Sequence, residues 1–154
     1  MVDGQYQRLL DSAFRFISFR PRSEKEIQDF LIKKLKTWKM YGPELVEKIV
    51  KRLMELGYVD DEKFVRWWVE QRQGRKPKGM QLIIYELLSK GIARNVIEHV
   101  LSSEIGNQAE LAKKALQPKV KTVKDKNKLM GFLERRGFDR STARSAVDAL
   151  LGKR

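Results

Sequence analysis

The sequence predicts an all-α protein of three tandem three-helix repeats, elongated and curved, and three observations lead there. A phrase made of a helix, a short glycine turn and a second apolar-faced helix recurs. Leu87-Leu88-Ser89-Lys90-Gly91-Ile92 stands against Leu133-Glu134-Arg135-Arg136-Gly137-Phe138, with the glycines 137 − 91 = 46 positions apart. Self-similarity at that period marks stacked helical units. Apolar residues recur at helical spacings through most of the chain, and no segment alternates as a half-buried strand does. A looser first copy runs from Leu35 to Gly42 with a longer turn, after which Val46, Ile49 and Val50 match Ile97, Val100 and Leu101. Stacked units offer extended faces rather than one enclosed pocket, which favours a binding protein.

The first helix is predicted from about Gln5 to Phe19, where Leu9, Leu10, Ala13, Phe14 and Ile17 form one stripe that stops near Arg20-Pro21. Ser23 followed by Glu26 reads as a capping box, opening a second helix with Ile27, Phe30, Leu31 and Leu35 inward and Lys33, Lys34 and Lys36 outward. Gly42-Pro43 starts a third, with Leu45, Val46, Ile49, Val50, Leu53 and Leu56 on its apolar face, and Gly57 ends it. In Tyr58-Val59-Asp60-Asp61, Asp60 is the expected cap of a fourth helix, with Val59 stapled to Phe64. Ile92 with Ile97 repeats that device.

The fourth helix is expected over about Asp61 to Gln73, followed by the basic turn Gly74 to Gly79. Helices five and six occupy about Met80 to Lys90 and Ala93 to Ser103. The third unit spans about Asn107 to Gln117, Lys124 to Arg136 and Arg140 to Leu151, with Pro118 and the basic stretch Lys119 to Lys128 as a connection. The resulting repeats are 1–57, 58–104 and 105–154. Helices of about 13 residues are near 20 Å long, so three groups side by side reach on the order of 60 Å.

The 154 residues carry 33 Lys and Arg against 20 Asp and Glu, a formal charge of +13, and an apolar fraction of 42% that supports packed cores. Such an excess of positive charge implies a polyanionic partner or an acidic protein surface. With no cysteine, there is neither a disulfide framework nor a thiol nucleophile. The N-terminal residues lack a signal-type apolar core and no stretch reaches membrane-span length, so a cytoplasmic protein is expected.

Catalytic chemistry finds little purchase. Asp60, Asp61 and Glu62 are the one acidic cluster that suggests a metal, yet at a helix start capping and the helix dipole account for them. His99, the only histidine, has no second ligand nearby in sequence and reads as a surface or packing residue. Gly74 to Gly79 has the glycine spacing of a phosphate loop, but Met80-Gln81 replaces the required Lys-Ser/Thr and a helix precedes it instead of a strand. No cofactor and no metal are expected.

Basic surfaces are better supported. Lys33, Lys34, Lys36 and Lys39 form one group, Arg72, Arg75, Lys76 and Lys78 a second, and Arg135, Arg136, Arg140 and Arg144 a third. Arginine forks hold carboxylates and phosphates bidentately, so the last two groups suit specific docking, whereas the first reads as a solvated helix face. Of the adjacent Trp67 and Trp68, about 100° apart on a helix, Trp68 is the core candidate and Trp67 the candidate contact residue.

These motifs resemble the RecX family of bacterial recombinase regulators. Arg22-Ser23 with Glu26 and Leu31, Gly57-Tyr58-Val59-Asp60-Asp61 with Phe64, and then Arg72 carry the resemblance in the first half. Gly79, Ile83, Leu87, Lys90-Gly91-Ile92 and Phe132-Leu133 with Arg135-Arg136-Gly137-Phe138 carry it in the second. Val59 stands where the family has Leu, Met80-Gln81-Leu82 replaces a more basic stretch, and the first repeat is long at Trp38 to Gly42. The resemblance implies a non-enzymatic regulator of DNA repair, recombination and the SOS response. Such a protein binds the RecA recombinase filament on single-stranded DNA and lowers its ATPase and strand-exchange activity. The contact residues expected from the two arginine-bearing basic groups and from Trp67 are Trp67, Arg72, Arg75, Lys76, Lys78, Arg135, Arg136, Arg140 and Arg144, with direct DNA contact a further expectation. A monomer is expected, since no symmetric interface has a sequence signal. The alternative reading is a stand-alone helical-repeat nucleic-acid-binding protein.

Overall fold

The computed structural model describes residues 2–74, 76–104 and 107–152. Among them are α1 (Val2–Phe19), α2 (Glu24–Thr37), α3 (Pro43–Glu55), α4 (Asp61–Arg72), α5 (Met80–Ser89) and α6 (Arg94–Glu104). There follow α7 (Gln108–Leu116), a 3-10 turn (Lys119–Lys121), α8 (Lys126–Arg135) and α9 (Arg140–Leu151). The described residues contain no strand. Most limits fall within two residues of expectation, but part of the basic connection Lys119 to Lys128 is itself ordered as the 3-10 turn and the start of α8.

The starts of α2, α4, α7, α8 and α9 obey one rule, a short side-chain oxygen taking the orphan amides of the first turn, whereas α3 and α5 open from Gly42 and Gly79 without a side-chain cap. Ser23 and Glu26 form the full capping box, with Glu26 N donating to Ser23 Oγ at 3.1 Å and Ser23 N to Glu26 Oε1 at 3.0 Å. Asp60 accepts from Glu62 N and Lys63 N, Asn107 from Ala109 N and Glu110 N, Asp125 from Asn127 N and Lys128 N, and Asp139 from Thr142 N.

Turns inside the units obey another. Gly91 and Gly137 adopt φ of 81° and 97°, the left-handed region that glycine enters without a Cβ penalty. Ile92 N then returns to Leu87 O and Phe138 N to Leu133 O. In the first unit the corresponding left-handed residue is Lys39, φ 55°, ahead of Met40 N to Leu35 O. The looser first copy is therefore a turn of the same kind, built without glycine and extended to Gly42.

Three separate cores result. Leu9, Ala13, Ile27, Leu31, Leu35, Ile49 and Leu53 centre the first; Val65, Val69, Ile83, Leu87, Ile97 and Val100 the second; Ala112, Leu116, Leu129, Leu133, Ala143 and Ala146 the third. Every helix pair in substantial contact lies within one of these groups. The expected staple of Val59 on Phe64 is not what forms: Val59 joins the first core and Phe64 the second, because Val59 N folds back onto Leu53 O at the end of α3. The accessible surface, 9868 Å², exceeds by about a fifth the roughly 8,100 Å² of a compact monomer of 18.1 kDa. Small cores in series leave that excess.

Candidate interaction surface

Neighbouring units meet at narrow joints, and both joints follow one plan. The start of a unit's middle helix abuts the glycine turn of the next unit. Ser23 Oγ donates to Lys90 O at 2.7 Å, and Glu24 N donates to Asp61 Oδ1 at 2.9 Å. In the second joint Gly79 N donates to Arg136 O at 2.7 Å, Met80 N to Gln108 Oε1 at 2.9 Å and Gln81 N to Gly137 O at 3.2 Å. A Cβ on Gly79 would overlap the Gly137 carbonyl and the Phe138 nitrogen, so only glycine allows this approach. No hydrogen bond or ion pair among the described residues links the first unit to the third.

Charge is arranged around these joints. Arg20 Nη2 meets Glu26 Oε2 at 2.5 Å, and Lys90 Nζ lies 3.7 Å from the same carboxylate. Burial opposes the charge on Glu26, but hydrogen bonds from Arg20 and the Ser23 backbone, with the Arg20 and Lys90 charges, hold its carboxyl below the ordinary value. Asp61 goes the other way. Burial lifts its pKa, the Glu24 amide offsets part of that, and Asp60 adds repulsion. Burial and the neighbouring Arg20 lower Arg22, against the attraction of Glu26, and its guanidinium stacks 3.8 Å from Phe16.

The predicted contact residues do not form one patch. Arg72 is tied inward: its Nε donates to Glu86 Oε1 at 2.8 Å and its guanidinium lies 4.3 Å from the Trp68 ring. Trp68 is buried as expected, and its Nε1 donates to the same Glu86 oxygen at 3.0 Å. Trp67 is not an exposed anchor. It is half-buried against the second core, 6.0 Å from Phe64, with Arg20 5.8 Å from its ring. Arg75 lies outside the described residues.

Lys76 and Arg136 line a crevice at the second joint, whereas Arg140 and Arg144 line an open groove between α8 and α9 with Lys126 and Asp148. Arg135 is exposed beside Gly131, and Lys78 is half-buried near the second joint. The third basic group is thus divided between two surfaces.

Of the motif residues, Gly57, Gly91 and Gly137 make left-handed turns, Phe64 is buried, and Tyr58 is exposed with its ring edge-on to Phe14 at 5.1 Å. Asp60 is a helix cap, but Asp61 bridges two units, which no local pattern signals. Its counterpart Gln108 and the donors Glu24 and Met80 escape the sequence for the same reason. Aligning the caps Asp60 and Asn107 would have exposed the pair. Among the described residues no group of three His, Cys, Asp or Glu is placed to hold a metal, and no helix is long and apolar enough to cross a membrane. His99 is exposed, its Nε2 3.7 Å from Glu62 Oε1.

Comparison with known proteins gives a consistent result. The family profile described as RecX, second three-helix domain, matches residues 60–101. Regulatory protein RecX of Chlorobium phaeobacteroides is 32% identical over 156 residues, covering 98% of this chain and 99% of its own length. That of Chlorobaculum tepidum is 32% identical over 158 residues, covering 99% and 94%. The crystal structure of RecX from Lactobacillus salivarius superposes with a TM-score of 0.74 over 97% of this chain and 98% of its own, at 20% identity, a likeness of fold. A second crystal structure, of a regulatory protein RecX, gives 0.75 at 26% identity over 94% of this chain and 73% of its own.

Proposed function

The chain belongs to the RecX family of non-enzymatic regulatory proteins, and from that premise we propose that it binds the RecA filament on single-stranded DNA and lowers its ATPase and strand-exchange activity. The observation that supports this reading is the serial construction: three small cores, joined by narrow polar contacts, carry a net positive charge along an extended body. A row of units of this kind contacts several filament protomers at once, each unit adding a modest term to a large sum. We take the units as 1–57, 58–104 and 105–154 and the protein as a cytoplasmic monomer. Inhibition then needs no catalytic group. Favouring a filament state poorly suited to ATP turnover is sufficient, by the linkage between binding and conformation.

The α8–α9 groove, where Arg140 and Arg144 face outward beside Lys126, favours direct contact with DNA phosphates as a second reading. The test is the DNA-dependent ATPase of the cognate RecA on single-stranded DNA, titrated with this protein at near-physiological salt. Inhibition at concentrations well below those that coat bare DNA supports filament targeting. Inhibition only once bare DNA is saturated, with a steep salt dependence, supports the stand-alone nucleic-acid-binding reading instead.

A further inference from the structure

The two joints are built from matching positions, and one is filled where the other is empty. Aligning the residues before the middle helices, Ser23 with Gly79, pairs Ile27 with Ile83 and Leu31 with Leu87. Aligning the caps Asp60 with Asn107 pairs Val65 with Ala112 and Val69 with Leu116, and aligning the turn glycines pairs Ile83 with Leu129 and Leu87 with Leu133. Every member of these pairs is buried.

The same correspondence matches Arg20 with Lys76, Arg72 with Lys119 and Lys90 with Arg136, so the cations are retained. It matches Glu26 with Leu82, Glu86 with Phe132 and Trp68 with Ala115. Both carboxylates and the indole are lost.

At the first joint those three groups neutralise and fill the space. Glu86 Oε1 accepts from Trp68 Nε1 and Arg72 Nε, while Glu26 pairs with Arg20 and Lys90. At the second joint a crevice of about 210 Å³ remains, lined by Lys76, Ala115, Pro118, Lys119, Phe132 and Arg136. Lys119 and Arg136 lie 5.2 and 4.6 Å from the Phe132 ring, and neither they nor Lys76 has a carboxylate of the described residues within ion-pair distance.

The geometry points to this crevice as a docking site for an acidic segment of another protein, a carboxylate flanked by an aromatic side chain. The aromatic side chain enters over Ala115, where the indole of Trp68 stands in the first joint, and the carboxylate meets Lys119 and Arg136 as Glu86 meets Arg72. Aromatic side chains seated in pockets, together with arginine, carry most of the energy of interface hot spots. A nucleic-acid backbone fits less well: the open α8–α9 groove offers a track for successive phosphates, whereas this crevice is a single pocket beside a ring already covered by two cations. The inference is independent of the filament reading, because peptide capture is measured on the protein alone.

The test is fluorescence anisotropy of a labelled peptide, Glu-Asp-Asp-Trp-Asp-Glu, with the full chain at about 0.1 M salt. A second peptide with alanine in place of the tryptophan and a single-stranded oligothymidylate serve as comparators. Saturable binding is expected, about fivefold or more weaker without the tryptophan and about tenfold or more weaker for Lys119→Glu. The double variant Ala115→Trp with Phe132→Glu, which rebuilds the occupant of the first joint, is expected to abolish binding while preserving helical circular dichroism. Should the double variant not fold, Lys119→Glu on an exposed side chain decides alone. No binding by the unaltered protein, or equal binding by Lys119→Glu, overturns the proposal. So does an effect of Lys119→Glu on the oligonucleotide alone, which would assign the crevice to a phosphate.

Discussion

Gly79→Ala isolates one joint from the rest of the molecule. Gly79 has φ −77° and ψ 162°, so a side chain there strains no dihedral. The obstruction lies across the joint, where a Cβ would overlap the Gly137 carbonyl and the Phe138 nitrogen. Carbon atoms rest in contact at about 3.5–4.0 Å, so the joint must open by about 1 Å or more. Opening breaks Gly79 N to Arg136 O, Met80 N to Gln108 Oε1 and Gln81 N to Gly137 O. At about 0.5–1.5 kcal/mol each, net of water, the expected loss is about 1.5–4.5 kcal/mol. Two companions guard the reasoning. Gly79→Ser improves the cap chemistry of α5 yet carries the same Cβ, so it too is expected to destabilise. Gly131→Ala, inside α8, meets only the end of the Arg135 side chain at 3.2 Å and is expected to stabilise by about 0.5–1 kcal/mol. Native-state amide exchange at Met80 and Gln81, with urea unfolding followed by circular dichroism, reads all three. A Gly79→Ser protein as stable as the parent, with unchanged exchange, would refute the account.

Other positions give sharp expectations. Lys39→Gly places glycine at the one left-handed non-glycine residue of the described chain and is expected to raise stability by about 0.5–1 kcal/mol in urea unfolding. Asp61 has a raised folded pKa, so its contribution is full below the unfolded value and is lost as pH rises through the folded one. Asp61→Asn keeps an oxygen for Glu24 N and is therefore expected to raise the melting temperature at neutral pH, with the gain vanishing in acid. Glu26 has a lowered folded pKa, so its stabilisation is present above the ordinary 4.5 and is lost as pH falls below it. Glu26→Gln should cost stability at pH 7 and flatten the acid limb of a melting-temperature profile.

The helices were legible because their signals are local. Ser23 with Glu26, Asp60, Gly91 and Gly137 each act within a few residues, so spacing alone locates the caps and turns that the structure contains. Val59 departs from the expected staple because an apolar residue ahead of a cap has two fates, and the backbone return onto Leu53 O draws it into the preceding core. The charged residues were less legible, since a cation in sequence does not reveal its partner. Arg72, expected as a contact residue, is held by Glu86 and Trp68, fourteen and four residues away on two helices, while Arg136, grouped in sequence with Arg140 and Arg144, faces a different surface.

What the joints add is a reason for repeats to diverge at some positions and not at others. A joint held by a few hydrogen bonds and one glycine approach keeps its register only if those donors, acceptors and small groups persist: Asp61 and Gln108 differ in charge but offer the same oxygen to the same amide. Beside the joint the repeats differ: Glu86 stands where the third unit has Phe132, while Leu87 and Leu133 are buried alike in the cores behind them. Keeping three cations while losing both carboxylates raises the local positive potential, an unfavourable self-interaction for the free protein unless another molecule supplies the missing charge. Reversal of Lys119 should therefore relieve repulsion and leave stability unchanged or higher while weakening binding, a pairing of signs that a purely structural role for this lysine does not produce.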